Sequence, residues 1–173
     1  MNAPAVRETA PDQSWGTPPE FINAVQKRFG PIVFDLAASP HNAVSRYFFT
    51  EAEDALKQDW SYLYKEVARP GEWLWLNPPF ADMAPWAAKC AEECREGARI
   101  ALLSKVSIAR WFVDFVEPHA RVNLLSPRVK YVPAPGQERG PNGVLRTGAD
   151  FDSMLSLFGP ATRGSIEVWR WKE

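Results

Sequence analysis

The stretch Trp73-Leu74-Trp75-Leu76-Asn77-Pro78-Pro79-Phe80 constrains this chain more than any other. Four consecutive large apolar residues bounded by turn-formers read as a fully buried strand. Two prolines follow at once, and they forbid both a helix and a central ladder. The strand must therefore end at Leu76 and hand the chain to a loop that begins with an amide side chain. In open α/β sheets ligands bind beyond the carboxyl ends of the strands, so Asn77 is predicted at the rim of a crevice.

The rest of the pattern agrees with such a sheet. Thr17-Pro18-Pro19-Glu20 reads as a helix start, with Thr17 as N-cap, Pro18 at the first helical position and Glu20 closing a capping box. Phe21, Ile22, Val25 and Phe29 recur at helical spacing before Gly30-Pro31 stops the helix. Ile32 to Leu36 is a short apolar strand carrying Asp35 near its carboxyl end. Tyr47 to Phe49 is a candidate second strand, Glu51 to Gln58 a short helical turn, Pro85 to Glu96 a helix, and Ile100 to Leu103 a further strand. Ile108 to Val116 reads as an aromatic-rich helix that Ser107 could cap. Val122 to Leu125 and Val129 to Val132 are β-like, and Phe151 to Phe158 with Ile166 to Trp171 look like a closing antiparallel pair. Strands alternate with helices first and dominate later. The expected fold is a three-layer, Rossmann-like α/β sheet, mostly parallel with an antiparallel C-terminal end.

Bulk properties narrow the function classes. A chain of 173 residues with 46 % hydrophobic and 24 % charged residues is expected to form one globular domain, spanning 15–173 behind a frayed tail at 1–14. No apolar run approaches the roughly 20 residues of a membrane span, and the tail lacks a signal-peptide stretch. The cytoplasm is the expected location. The only cysteines, Cys90 and Cys94, lie i,i+4 on a helix, far in sequence from His41 and His119, so no metal site is expected. Net charge is −1, yet Arg121, Arg128, Lys130, Arg139 and Arg146 face a single acid, Glu138, between positions 121 and 146. That segment suits phosphate contacts or a solvated loop equally well.

Asn77 and Pro78 suggest a chemistry. The Asn77 side-chain oxygen and the Pro78 carbonyl can offer two acceptors to the crevice, and an exocyclic amine has two N–H donors to give. Holding both hydrogens pushes the nitrogen towards tetrahedral geometry and frees its lone pair to attack an electrophilic methyl. Pro79 keeps the loop from regular structure, and Phe80 offers a face on which a base can stack. In isolation an Asn-Pro-Pro tripeptide also arises by chance.

The motif series as a whole resembles the class I amino-methyltransferases, and within them the phage-type DNA N6-adenine methyltransferase (Dam) family. The resemblance runs from about Trp15 to Phe158: Thr17-Pro18-Pro19-Glu20, Phe34-Asp35-Leu36-Ala37-Ala38-Ser39, Tyr47 through Asp54-Ala55-Leu56, Asp59-Trp60, and Asn77-Pro78-Pro79-Phe80 with Trp86 beyond. It implies direct methyl transfer from S-adenosylmethionine to a flipped-out adenine, in a phage or prophage product working in a bacterial host. Asn77, Pro78, Pro79 and Phe80 would be catalytic. Thr17 would hold the methionine carboxylate and Asp35 would sit by its amino end, with Pro18 and Ala37 also in the cofactor site. An acid of the Glu51 to Asp54 stretch, Asp54 in the reading adopted, would bond the ribose. Asp59 would accept from the cofactor's adenine amine, with Trp60 as an apolar wall. Strand-end, turn and solvated-helix roles are the plain structural alternatives for Asp35, Asp59 and Asp54. Two departures stand out. Ala37-Ala38-Ser39-Pro40 replaces the usual glycine-rich turn, and Phe80 stands where tyrosine is commoner.

Double-stranded DNA is the partner that the resemblance implies, and a base inside a duplex must be flipped out to react. The loop 133–150, with Arg139, Asn142 and Arg146, and the stretch from Lys105 to Arg110 are the candidates for DNA contact, through base edges or, more commonly, phosphates. Similar tetrapeptides also occur in enzymes that methylate guanine N2 in RNA or glutamine in proteins. A catalytically silent nucleic-acid-binding module is a further alternative. A nucleotide-binding oxidoreductase is set aside, because the first strand is not followed by a Gly-x-Gly-x-x-Gly turn.

Overall fold

Alternation along one strand builds the two cores. A computed structural model describes residues 15–140, 142–144, 151–160 and 164–172. In β2 (Trp73–Leu76), Trp73 and Trp75 pack on one face of the sheet while Leu74 and Leu76 pack on the other, as the two-residue period of a strand dictates. The Trp side is closed by α1 (Pro19–Phe29) through Phe21, Ile22 and Val25. The Leu side is closed by α2 (Trp60–Val67) and α3 (Ala84–Arg95) through Trp60, Ala87, Cys90 and Ala91. Three layers result.

The six-stranded sheet has the order β1-β2-β3-β5-β4-β6, where β1 is Ile32–Asp35, β3 Ile100–Lys105, β4 Ala120–Ser126, β5 Ser153–Phe158 and β6 Ser165–Arg170. Pairing is parallel from β1 through β2 to β3 and again between β4 and β6, while β5 runs antiparallel to both of its neighbours. The antiparallel strand is therefore interior, not terminal. Every residue of β5 is buried, as a strand covered on both faces requires. The pairing expected between the last two strands is absent: β4 lies between them, with Leu124 opposite Met154 on one side and Val168 on the other.

Other local expectations shift for physical reasons. Thr17 is not the cap of α1; Pro18 occupies that position without a side-chain bond, and Pro19 is the proline of the first turn. Thr17 is buried instead and pairs with Asn77, a tertiary bond that displaces the local one. Tyr47–Phe49 forms no regular strand but flanks β1, with the Asp35 N–H donating to the Tyr47 carbonyl and the Phe49 N–H to the Asp35 carbonyl. Residues 51–57 form two short 3₁₀ turns, Glu51–Glu53 and Ala55–Lys57. The helix expected over Ile108–Val116 contracts to a π-type turn at Phe112–Val116, which buries Phe112 and Val116. Val129–Val132 is not a strand either: Val129 and Tyr131 are core residues, and pairing is confined to a bridge between Val132 and Gly16. No described helix is long and apolar enough to cross a membrane.

Candidate active site

Parallel β1, β2 and β3 end on the same edge of the sheet, and the residues leaving those ends define the site. Asp35 closes β1. Its carboxylate is 2 % exposed, with Oδ1 accepting from the Ala37 N–H at 3.2 Å and Oδ2 from the Val44 N–H at 3.1 Å. These bonds fold the segment from Ala37 to Val44 back over the strand end. Burial lifts the carboxyl from its ordinary 3.8 to about 6, outweighing the two backbone N–H groups that pull it down.

Asn77 leaves the end of β2, half-buried. Its Nδ2 donates to Thr17 Oγ1 at 3.3 Å. That bond uses the donor side of the amide and leaves the carbonyl oxygen as the group available to a ligand. Thr17 is held in turn by its chain neighbour Gly16, whose N–H and carbonyl both pair with Val132, at 2.7 and 2.8 Å.

Between these ends lies a cleft of about 1150 Å³. Thr17, Asp35, Ala37, Asp54, Asn77 and Pro79 form part of its wall, so the structure brings these six predicted residues together. Glu51, Trp15 and Trp86 also line it. A smaller cavity of about 380 Å³ adjoins it through the shared Thr17, Asn42 and Val44, and is closed by Val132 and Pro133 at the start of the long loop.

Acid by acid, the stretch Glu51 to Asp54 divides its tasks. Glu53 closes a capping box with Thr50 and is committed there. Asp54 sits between the two 3₁₀ turns at φ 49°, in the left-handed region that asparagine and aspartate tolerate better than other non-glycine residues. It faces the cleft while Lys57 contacts its Oδ2 at 2.8 Å.

Asp59 and Trp60 stand behind the cleft, not on its wall. Asp59 is the N-cap of α2, its Oδ1 accepting from the Tyr62 N–H and the Ser61 hydroxyl, each at 2.8 Å. The Tyr62 N–H, followed by Ser61, holds this carboxyl below its ordinary value. Trp60 is fully buried, donates Nε1–H to the Ala55 carbonyl at 2.8 Å, and stacks on Trp86 with centroids 6.5 Å apart. Trp86 is thus the indole that reaches the cleft, backed by Trp60. Pro18 and Pro78 are buried and also lie off the cleft wall. Phe80 lies to the side, edge-on to Tyr131 and Phe151 at 6.2 and 5.7 Å, with Lys105 Nζ 5.9 Å from its ring centre.

Of the candidate DNA contacts, Lys105 alone is placed at the end of a central strand. Lys105 ends β3 and lies 4.5 Å from the Phe151 ring centre. Arg110 is exposed and pairs with Asp114 at 3.1 Å. Arg139 is exposed, its guanidinium donating to the Gly143 carbonyl at 2.8 Å, and Asn142 is exposed in the same turn. Arg146 lies outside the described residues. The described residues contain no group of three or more His, Cys, Asp or Glu side chains able to hold a metal ion.

Sequence reasoning gave no role to Trp15, Asn42 or Trp86, nor to Tyr131 and Phe151 around Phe80. An aromatic residue at helical spacing reads as core, and only the tertiary fold brings Trp86 to a cavity.

A family match spans the residues of the cleft wall. The sequence model of the family described as DNA N-6-adenine-methyltransferase (Dam) matches residues 6–146. A DNA N-6-adenine-methyltransferase of Escherichia phage T1 is 29 % identical over 101 residues, which is 58 % of this chain but 39 % of the phage protein. A putative methyltransferase of Escherichia coli (strain K12), YfdM, is 31 % identical over 85 residues, 49 % of this chain and 86 % of that protein. The matched region is thus well under two thirds of the phage protein's length. With the family match covering most of its length, this chain belongs to the DNA N-6-adenine-methyltransferase (Dam) family.

Proposed function

We propose that the chain transfers a methyl group from S-adenosylmethionine directly to N6 of an adenine flipped out of double-stranded DNA, on a class I methyltransferase sheet. The observation that carries this reading is the Asn77 amide, at the end of an apolar parallel strand, with its donor side tied to Thr17 and its acceptor side left for a ligand.

The cleft fits the cofactor on chemical grounds. Its floor holds a buried carboxylate, Asp35, suited to a cationic amino end. Its wall carries Asp54 and Glu51 for ribose hydroxyls and an indole, Trp86, for a planar ring. About 1150 Å³ is ample for a drug-sized ligand together with part of a second. When bound, S-adenosylmethionine supplies an electrophilic methyl on a sulfonium. Thr17 and Ala37 border its methionine end in this reading, with Pro18 fixing the backbone beside Thr17. Asp59 and Trp60 act at one remove, by seating α2 and backing Trp86.

Asn77 Oδ1 at the rim and the Pro78 carbonyl from the buried turn behind it would accept the two amine hydrogens of the target; the freed nitrogen lone pair takes the methyl as its bond to the sulfonium breaks, S-adenosylhomocysteine is the leaving group, and the surplus amine proton passes to water. Pro79 borders the place where the base sits, and Phe80 packs beside it. No covalent bond between enzyme and base is needed, so no thiol is invoked; Cys90 is buried, and burial pushes its thiol well up. Lys105, Arg110, Arg139, Asn142 and Arg146 supply the contacts to DNA.

Asn77→Ala tests the assignment. Transfer to DNA is expected to fall by at least about 100-fold, the order lost when one acceptor or donor at a reacting centre is removed, while calorimetric affinity for S-adenosylmethionine stays within about threefold. Loss of cofactor affinity with the fold retained would move Asn77 to the cofactor and overturn the reading.

A further inference from the structure

Ile108 is 90 % exposed, more than any other large hydrophobic residue described. Its position makes that exposure informative. Register places Leu102 opposite Leu76, so β3 ends beside the loop that carries Asn77 to Phe80. Lys105, the last residue of β3, reaches over the rings of Phe80 and Phe151, and Ile108 follows three residues later.

The turn that carries Ile108 is braced from both sides. The Val106 N–H donates to the Asp152 carbonyl at 2.9 Å, and Ser107 Oγ accepts from the Ala109 N–H at 3.0 Å. Beyond it, Phe112 and Val116 anchor the chain in the core. The isoleucine therefore projects from a fixed support at the edge of the sheet where the candidate site opens. Cations flank it in sequence: Lys105 on one side, and Arg110 on the other, its guanidinium exposed beside Asp114.

Resting on the proposed function, we infer that Ile108 is the wedge that enters the duplex stack when the target adenine leaves it. An extruded base opens a gap that an apolar side chain can fill, and proteins that unstack DNA insert isoleucine, leucine or phenylalanine for this purpose. Beside the less exposed Val106 and Val113, an apolar tip flanked by cations in sequence suits stacked bases between phosphates. It suits a second copy of this chain poorly, since a stable interface needs roughly 800 Å² of contiguous surface from each partner.

The test compares double-stranded with single-stranded DNA of the same sequence, both from a methylation-deficient source, using the full chain and labelled S-adenosylmethionine. Ile108→Ala is expected to slow transfer to the duplex on the order of tenfold and to leave transfer to the single strand unchanged, because an unpaired base needs no replacement in the stack. Ile108→Leu is expected to restore the duplex rate. Equal losses on both substrates, or no loss on either, would overturn the wedge while leaving methylation of DNA intact. Wild-type protein inactive on both DNAs would overturn the substrate reading and the wedge with it.

Discussion

In the proposed site, Asp35 is expected to make affinity for S-adenosylmethionine depend on pH, in a window set by its surroundings. Burial raises its carboxyl from 3.8 to about 6. That shift means the ionised form in the ligand-free cleft is disfavoured by about 3 kcal/mol relative to water. An ammonium placed against it removes the penalty and returns the carboxyl towards its ordinary value. If the bound value is 3.8, linkage predicts that affinity for S-adenosylmethionine falls about tenfold between pH 7 and pH 5, since the free protein must first give up a proton. The α-amino group of the ligand stays charged throughout that range, so the change belongs to the protein. Calorimetry at pH 5, 6 and 7 in buffers of different ionisation heat measures both the affinity and the released proton. His41 lies on the segment that Asp35 anchors, so His41→Gln serves as the control and should keep the slope. Asp35→Asn should bind weakly with little pH dependence. An affinity that is flat from pH 7 to pH 5, or that rises on acidification, would remove Asp35 from the cationic end of the cofactor. The same carboxyl acts on folding in the opposite direction. Its folded value lies above its unfolded one, so its contribution to stability is complete below about pH 4 and is lost as the pH rises through about 6.

Asp59→Ala removes the cap of α2 and is expected to cost about 1 kcal/mol in chemical denaturation, with cofactor affinity changed by less than about tenfold; a larger loss of affinity would return Asp59 to the cleft wall. Gly30→Ala should destabilise by about 3 kcal/mol or more, because its Cβ would meet the Gly71 carbonyl oxygen at 2.4 Å while φ stands at 115°; an unchanged denaturation midpoint would refute that packing.

Legibility in the sequence followed the range of the interactions. The strands at Ile32–Asp35, Trp73–Leu76 and Ile100–Lys105 were readable because their apolar runs stop at a carboxylate, an Asn-Pro-Pro turn or a charge, all local signals. Asp35 and Asn77 could be placed at one rim for the same reason. Strand order was not readable. That β5 inserts between β3 and β4 depends on pairings such as Leu103 with Leu155, which no local pattern encodes. Val129 and Tyr131 have strand-like composition, yet they fill the core on the α1 face. Alternating apolar residues serve both uses, and the periodicity alone cannot separate them. Thr17 shows the converse: a good capping residue was diverted to Asn77, sixty positions away, because burying an unpaired amide beside it would cost more than an unmade cap. Trp86 was visible only as part of a motif; its role at the cleft depends on Trp60 standing behind it.

The proposed reaction is methyl transfer to N6 of adenine in DNA. Purified protein, labelled S-adenosylmethionine and duplex DNA from a methylation-deficient source, followed by digestion and separation of the nucleosides by mass, test it directly. Label is expected in N6-methyldeoxyadenosine and in no other nucleoside. Label absent from DNA but present on RNA or protein supplied in parallel would contradict it.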